Sequence, residues 1–473
     1  MKKILLSILI VLLLLPLTAC GKRIAETGNS GGQSAQAGNG AVSSQDQGAL
    51  EAAVQSVLTD KKTVSVSFWT GTGTSNFPVL QKMVGAFQTK YPNIKVEFSN
   101  QGAVGELTDK LTQNIVSKST PTLSNIDAAT FPEYIKSDAI VDLMPYYQNK
   151  EIGLASSSDG LFSYYLDEVK SLGPEGTMFG FPTNKKTSDV LIYNKTYFDG
   201  KGWQAPKTWD EVVADAKTIK EETGKPGFSF DNAYGDAPFN LLSRQWGSPY
   251  IKEDGTIDID NDASRDSLTF YKENMDKGYF TMPELLPSTA GKKYSSNAFV
   301  NEETYMFIGA AAGAQYAVPK PEAGQKSFEV GVAPVPQKDP DHPVSFSKGE
   351  DYVIFANATE EERVAAWLLI SFLTEAKPNV EWLTATGNLP VSQAMLDEPA
   401  YKQFLAAKPS NDPAYYRAAA VNAVLASGNL DFNRVIPQSG KLSQAIGDMW
   451  EAIMIGGGDV NQQLQAAQAK AQQ

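Results

Sequence analysis

The sequence predicts an α/β protein built around parallel sheets. Three features carry that expectation: a strand–helix–strand unit at the start of the globular part, repetition of the pattern downstream, and a body of about 400 residues, enough for two domains. Thr63 to Trp69 alternates small and β-branched or aromatic residues, as a half-buried strand does. A polar loop over 70–76 follows. Phe77 to Tyr91 then places Val79, Leu80, Met83, Val84 and Phe87 at helical spacing and ends at Pro92. Asn93 to Phe98 reads as the next strand. Such a unit implies parallel pairing through a right-handed crossover. Ligands of open α/β sheets bind outside the carboxyl ends of the strands.

The pattern continues with a helix over 107–116, a strand over 123–127 and a short helix over 131–137. An extended stretch over 179–195 follows. Pro206-Lys207-Thr208-Trp209-Asp210-Glu211 opens a strong helix, with Thr208 as cap and Glu211 completing a capping box. Strands are expected over 328–333 and 351–355. The helix over 360–374 carries Val364, Trp367, Leu368, Ile370 and Phe372, too many apolar residues for a surface helix. The Gly71-Thr72-Gly73-Thr74 loop lacks the lysine of a phosphate-binding loop and the third glycine of a dinucleotide fingerprint. It reads as a polar ligand contact at a strand's carboxyl end.

The N-terminus carries a different message. Lys2 and Lys3 precede an apolar run from Ile4 to Leu15, and Leu17-Thr18-Ala19 leads into Cys20, the single cysteine. This is a secretory signal over 1–20. Its end resembles a bacterial lipobox, which implies acylation of Cys20 and an extracytoplasmic protein anchored to the cell membrane by lipid. The run falls short of the ~20 residues that span a bilayer. Residues 21–60, rich in Gly, Ser, Gln, Ala and Asn, read as a flexible linker, with a short helix expected near 49–58.

Net charge is −13, which argues against a nucleic-acid-binding face. The single histidine, His342, and the lone cysteine leave Ser-His-Asp and Cys-His catalysis and the usual zinc sites without residues. Chemistry with two carboxylates survives this test. No cofactor and no metal is expected.

Phe181-Pro182 with Leu191-Ile192-Tyr193-Asn194-Lys195, the Pro206–Glu211 helix start, Phe328 to Pro336, Ala365-Ala366-Trp367 and Gly387-Asn388-Leu389-Pro390-Val391 occur in an order that resembles the bacterial extracellular solute-binding proteins of family 1. The resemblance covers nearly everything from Val64 onward. It implies a two-lobed periplasmic-binding-protein, or Venus-flytrap, fold, each lobe a mostly parallel sheet flanked by helices. The implied lobes are 61–185 with 344–395 and 186–343 with 396–473, with crossings near Lys185–Ser188, near Val344–Lys348 and near Met395. The implied function is a non-enzymatic receptor of an ABC importer, monomeric, clamping a sugar or oligosaccharide and delivering it to the membrane permease.

Carried onto this sequence, the family's pocket implies ligand contacts from Trp69, Thr70, Gly71 and Thr72; from Asp127, equally readable as a helix cap; from Thr183, Asn184, Lys185 and Lys186, with one of the two lysines reaching the ligand or both on a solvated loop; and from Tyr234, Trp246, Gly313, Gln315, Glu350, Asn388 and Arg434. The Gly309–Gln315 segment lacks the tryptophan that maltodextrin-binding members carry there, so Trp246, Tyr234 or Trp69 is expected to supply stacking, Trp246 being almost equally readable as core. A glycerol-phosphate-binding branch is similar around 387–390 and Arg434. It has a tyrosine where this chain has Asn388, and Glu350 would disfavour a phosphate. Glycerol phosphate or a related polyol is the alternative ligand. The alternative functions are an exported carbohydrate-active enzyme using Asp127 with Glu350 or Asp351, and a receptor feeding a sensor kinase.

Overall fold

Among the described residues the chain forms twelve short strands, and those at 64–70, 94–100, 123–126, 330–333 and 351–354 begin within two residues of where the periodicity places them. In the computed structural model they are β1 (Val64–Thr70), β2 (Ile94–Asn100), β3 (Leu123–Ile126), β4 (Phe181–Pro182), β5 (Asp189–Asn194), β6 (Phe228–Phe230), β7 (Tyr250–Ile251), β8 (Ile257–Asp258), β9 (Phe280–Thr281), β10 (Met306–Ala310), β11 (Val330–Ala333) and β12 (Asp351–Ile354). The structure describes residues 44–473 apart from 75, 157–159, 234, 290, 408–411 and 429.

The strands form two five-stranded sheets, ordered β2-β1-β3-β12-β4 and β11-β5-β10-β6-β9, and a two-stranded ribbon of β7 and β8. In the first sheet β1 runs parallel to β2 and β3, and β12 runs against β3 and β4. In the second, β10 is parallel to β6, β6 to β9, and β5 runs against β10 and β11. Each sheet therefore holds one reversed strand, and the registers explain why. Asp351, the first residue of β12, sits opposite Ile126, the last of β3. Asp189, the first residue of β5, sits opposite Ala310, the last of β10. The chain thus leaves one sheet and enters the other at the carboxyl-end pole of the parallel strands, and a strand that enters there has to run backwards.

The passages themselves are tied together. Thr187 and Lys348 exchange backbone hydrogen bonds at 2.9 Å in each direction. The amide of Asp431 donates to the Ser345 carbonyl at 2.7 Å, and Ser347 donates to Asp431 at 2.9 Å. A third passage of chain, around Asp431, thereby pairs with the second crossing.

Local chemistry terminates the helices as expected. The helix Trp209–Thr223 opens on the Thr208/Glu211 capping box and stops at Gly224 in the left-handed region, φ 72°. The helix Glu360–Thr374 opens on the same device, Thr359 with Glu362. Its residues Val364 to Ile370 are all buried, because it packs against β1 and β12 on one side and is covered on another.

That cover corrects one expectation. Residues 44–60 were expected to close a flexible linker, with a helix only near 49–58. Instead Ser44–Val54 is α-helical, and Gln55–Thr59 continues it as one π-helical turn. Leu50, Ala53, Val54 and Val57 are buried against the helix Glu360–Thr374, and Lys62 pairs with Glu361 at 2.7 Å. Among the described residues no helix is long and apolar enough to cross a membrane. If the N-terminal helix covers an otherwise exposed apolar helix, Leu50→Ala should lower unfolding free energy by about 2 kcal/mol, the low end for a buried leucine. Urea denaturation of the soluble chain measures it, and an unchanged midpoint would show that this helix is only loosely applied.

Candidate functional site

At the carboxyl end of β1 the chain turns through Thr70, Gly71 and Thr72. Thr70 is fully buried, and the Thr72 carbonyl accepts from Asn100 Nδ2 at 2.7 Å. Gly71 fits a tight approach: a Cβ there would lie 3.1 Å from the Cα of Val104. At the end of β3, Asp127 is exposed and caps the short turn Ala128–Thr130 by accepting from Ala129 N at 2.9 Å. Its capping role is therefore real, and its carboxylate still faces solvent at the same pole.

Lys185 reaches this pole from the first crossing. Its Nζ donates to the Gly71 carbonyl at 2.7 Å and forms an ion pair with Glu350, which also accepts from Asn125 Nδ2 at 2.9 Å. Thr183 Oγ1 donates to the Glu350 carbonyl at 2.8 Å. Lys348, from the second crossing, pairs with Asp189 at 2.6 Å. Lys186 points the other way and is fully buried between Asp351 (2.9 Å) and Glu168 (3.1 Å). Burial pulls its ammonium down, but the two carboxylates more than reverse this and hold it above the usual lysine range.

The second sheet contributes Asp231 and Asp236, just past β6. Asp231 Oδ1 accepts from Ser295 N at 2.6 Å. Burial pushes its carboxyl up to about 7; Ser295 pulls it down, Asp189 pushes it further up, and Lys348 opposes that. Gly309 in β10 makes room for it, since a Cβ there would meet Asp231 Oδ2 at 2.5 Å. Burial also raises Asp236, against a hydrogen bond from Ser443 and the charge of Lys348, while Asp127 raises it further. Asp127 of the first sheet, Lys348 of a crossing and Asp236 of the second sheet thus share one electrostatic neighbourhood. The helix Ser439–Met454 packs against Ala128–Thr130 across the same gap. Tyr294, exposed and within the field of Asp231, adds an aromatic ring at the rim.

The structure gathers Thr70, Gly71, Thr72, Asp127, Thr183, Lys185 and Glu350 around this pole and moves other expected contacts elsewhere. Trp69 is half-buried against the first core. Asn184 is buried under Tyr352 and Trp382, accepting from Tyr352 Oη at 3.1 Å. Trp246 packs on Trp209 and Phe270 in the second core, with Lys338 over its ring at 5.0 Å, because it closes the helix Ala237–Gln245, which packs against the helix Asp262–Asp276 that carries Phe270. Gln315 is held by Arg417 at 2.9 Å, and Gly313 beside it faces open space. Asn388 donates to the Lys186 carbonyl at 3.2 Å, as part of the crossing. Arg434 is exposed and donates to the Glu253 carbonyl at 2.9 Å, next to the β7–β8 ribbon. Tyr234 and Cys20 lie outside the described residues.

Lys348, Asp189, Asp231, Asp236 and Tyr294, which the structure places at this pole, were not among the expected contacts. A signal existed for Asp189 and Asp231, which are acids bordering apolar strand runs. Among the described residues no group of His, Cys, Asp or Glu has metal-holding geometry. A surface depression lined by Trp203, Pro206, Lys207, Glu211 and Asp215 shares no residue with this pole.

Comparison with known proteins agrees with this architecture. The family model described as bacterial extracellular solute-binding protein matches residues 82–414. The chain is 24% identical over 260 residues to an sn-glycerol-3-phosphate-binding periplasmic protein UgpB of Brucella melitensis, covering 54% of this chain and 57% of that one. It therefore spans little more than half the length of the curated relatives it matches. Among solved structures, maltose-bound MalE3 of T. maritima superposes with a TM-score of 0.68 at 20% identity, covering 86% of this chain and 99% of that one. UgpB from Mycobacterium tuberculosis in complex with glycerophosphocholine gives 0.69 at 18% identity, covering 86% and 98%. With its two sheets, paired crossings and a family match over most of its length, the chain belongs to the bacterial extracellular solute-binding proteins.

Proposed function

We propose that this chain is the lipid-anchored receptor of an ABC importer, closing two lobes on a neutral sugar or oligosaccharide and handing it to the permease without turning it over. The proposed lobes are 61–185 with 344–395 and 186–343 with 396–473, and Cys20 carries the lipid. The observation that carries the ligand class is the pairing of the two lysines at the pole: Lys185 is already neutralised by Glu350, and Lys348 by Asp189. A phosphate arriving there would find compensated ammonium groups and, beside them, Asp127, Asp231 and Asp236. Sugar hydroxyls donate to carboxylates and accept from amines, so the same groups suit them. Closure follows because only the closed form lets a ligand contact both walls at once.

Glycerol phosphate remains the second reading, supported by the curated relatives' own names. The enzyme reading is weaker, since Asp127 caps a turn and Glu350 is engaged by Lys185 and Asn125.

Two outcomes are expected. In a thermal-shift screen, neutral saccharides should raise the melting temperature more than sn-glycerol 3-phosphate does. Lys185→Met and Lys348→Met should each weaken saccharide binding by about 1–3 kcal/mol. A phosphate ester that stabilises best would reverse the ligand assignment.

Asp231 sets a pH dependence. Its folded value, about 7, lies above the ordinary 3.8. Between those values the native state holds a proton that the unfolded chain has released, so its stabilising contribution is full at low pH and is lost as pH rises through about 7. Urea midpoints from about pH 5 to about pH 8 should therefore fall less steeply in Asp231→Asn than in the wild type. Equal slopes would mean that Asp231 is ionised throughout.

Cys20→Ser should move the protein from the membrane fraction to the soluble fraction, or arrest its processing. Fractionation that leaves it on the membrane would remove the lipid anchor.

A further inference from the structure

Two consecutive lysines face two consecutive acids across the crossings. Neighbours on an extended chain point to opposite sides, so Lys185-Lys186 and Glu350-Asp351 sort into two tiers. The outer tier, Lys185 with Glu350, keeps side-chain exposures of 14% and 7% at the ligand pole. The inner tier, Lys186 with Asp351, has none on either side. Glu168, from the helix Ser163–Ser171, makes the inner tier a triad.

Lys186 also organises the backbone around it. Its carbonyl accepts from Leu389 N at 2.8 Å and Asn388 Nδ2 at 3.2 Å, which ties 387–390 to the first crossing. Glu168 Oε2 accepts from Ser347 Oγ at 3.2 Å, which ties in the second crossing. Thr187, the next residue, pairs with Lys348. The Tyr165 ring lies under the ammonium at 5.8 Å, and the field around Asp351 also includes Asp127. One ammonium serving two buried carboxylates is a poor device for stability, because apolar replacements of such groups are often neutral or stabilising. Its convergence on three chain passages is instead what a fixed registration point requires.

We propose that Lys186 is a positioning residue, the fixed pivot of lobe closure: it locks both crossings and the 387–390 passage in one register, so that closure is taken up beyond it, between Thr187 and Asp189. This rests on the reading of the chain as a two-lobed receptor. The Lys348–Asp189 pair spans the segment that moves, while the inner triad stays with the first sheet.

The test is amide hydrogen exchange on the mature chain without solute, comparing wild type with Ser347→Ala, Lys186→Met, and the triple variant Lys186→Met, Glu168→Gln, Asp351→Asn. The triple variant leaves no buried charge unpaired and carries the test if Lys186→Met does not fold. Exchange at the amides of Thr187, Lys348 and Leu389 should accelerate about tenfold or more in the triple variant, while Phe68 and Val353 in the first sheet keep their protection. Ser347→Ala should show a smaller acceleration at Thr187 and Lys348, with the melting temperature unchanged. Wild-type protection at these three amides in the triple variant would overturn the pivot, as would loss spread evenly over the first sheet. Because no solute is present, the two claims fail separately. If no solute binds the wild type, the receptor reading falls and this result stands; if protection is unchanged, the pivot falls whatever binds.

Discussion

The backbone bridge between Thr187 and Lys348 is the constraint on which the rest of the molecule depends. A chain whose first two passages run between two mostly parallel sheets has to leave and enter them at their carboxyl-end pole if the passages are short. That choice reverses β5 and β12, and it places the first residue of each reversed strand, Asp189 and Asp351, at the pole where ligands of α/β sheets bind. Crossing, reversal and acidic pole are thus one geometric event. The charged residues around it cluster there because four ends of chain meet in a small volume.

The electrostatics of the pole follow from that crowding. Carboxylates outnumber the lysines, and two of those left without a lysine of their own, Asp231 and Asp236, are pushed up by burial. The lysines are consumed by near neighbours: Lys185 by Glu350, Lys348 by Asp189, Lys186 by Asp351 and Glu168. Such a surface offers many hydrogen-bonding groups and little net positive charge, which is what the proposed saccharide reading rests on. The same carboxylates would serve poorly as catalytic acids, since the best candidates are tied to a helix cap or to an ammonium.

Packing explains a second departure from the linear reading. The helix Glu360–Thr374 is apolar on nearly every face, so something has to cover what the first sheet does not. The residues that do so come from 44–59, a stretch whose polar and small composition resembles linker in isolation. Leu50, Val54 and Val57 supply too little apolar surface to fold alone, and enough to dock on a helix already in place.

Read as a sequence, the chain reveals what is local and periodic. The strand of Val64 to Thr70, the helix after Phe77, the Thr208–Glu211 box and the buried helix at 360–374 each depend on neighbours within a few residues, and each was legible. The order of short landmarks was enough to indicate the family. Which of two adjacent lysines faces the ligand pole was not legible, because an extended chain alternates and only the register with Glu350-Asp351 decides the phase. Nor was the position of Trp246, whose aromatic partners Trp209 and Phe270 stand on two other helices, or that of Arg434, drawn to a carbonyl at Glu253. The sequence by itself determined the elements and the kind of protein they build. The tertiary structure alone decided which side chains meet at the pole, since those meetings join residues far apart in the chain, and no local pattern encodes the distance between them.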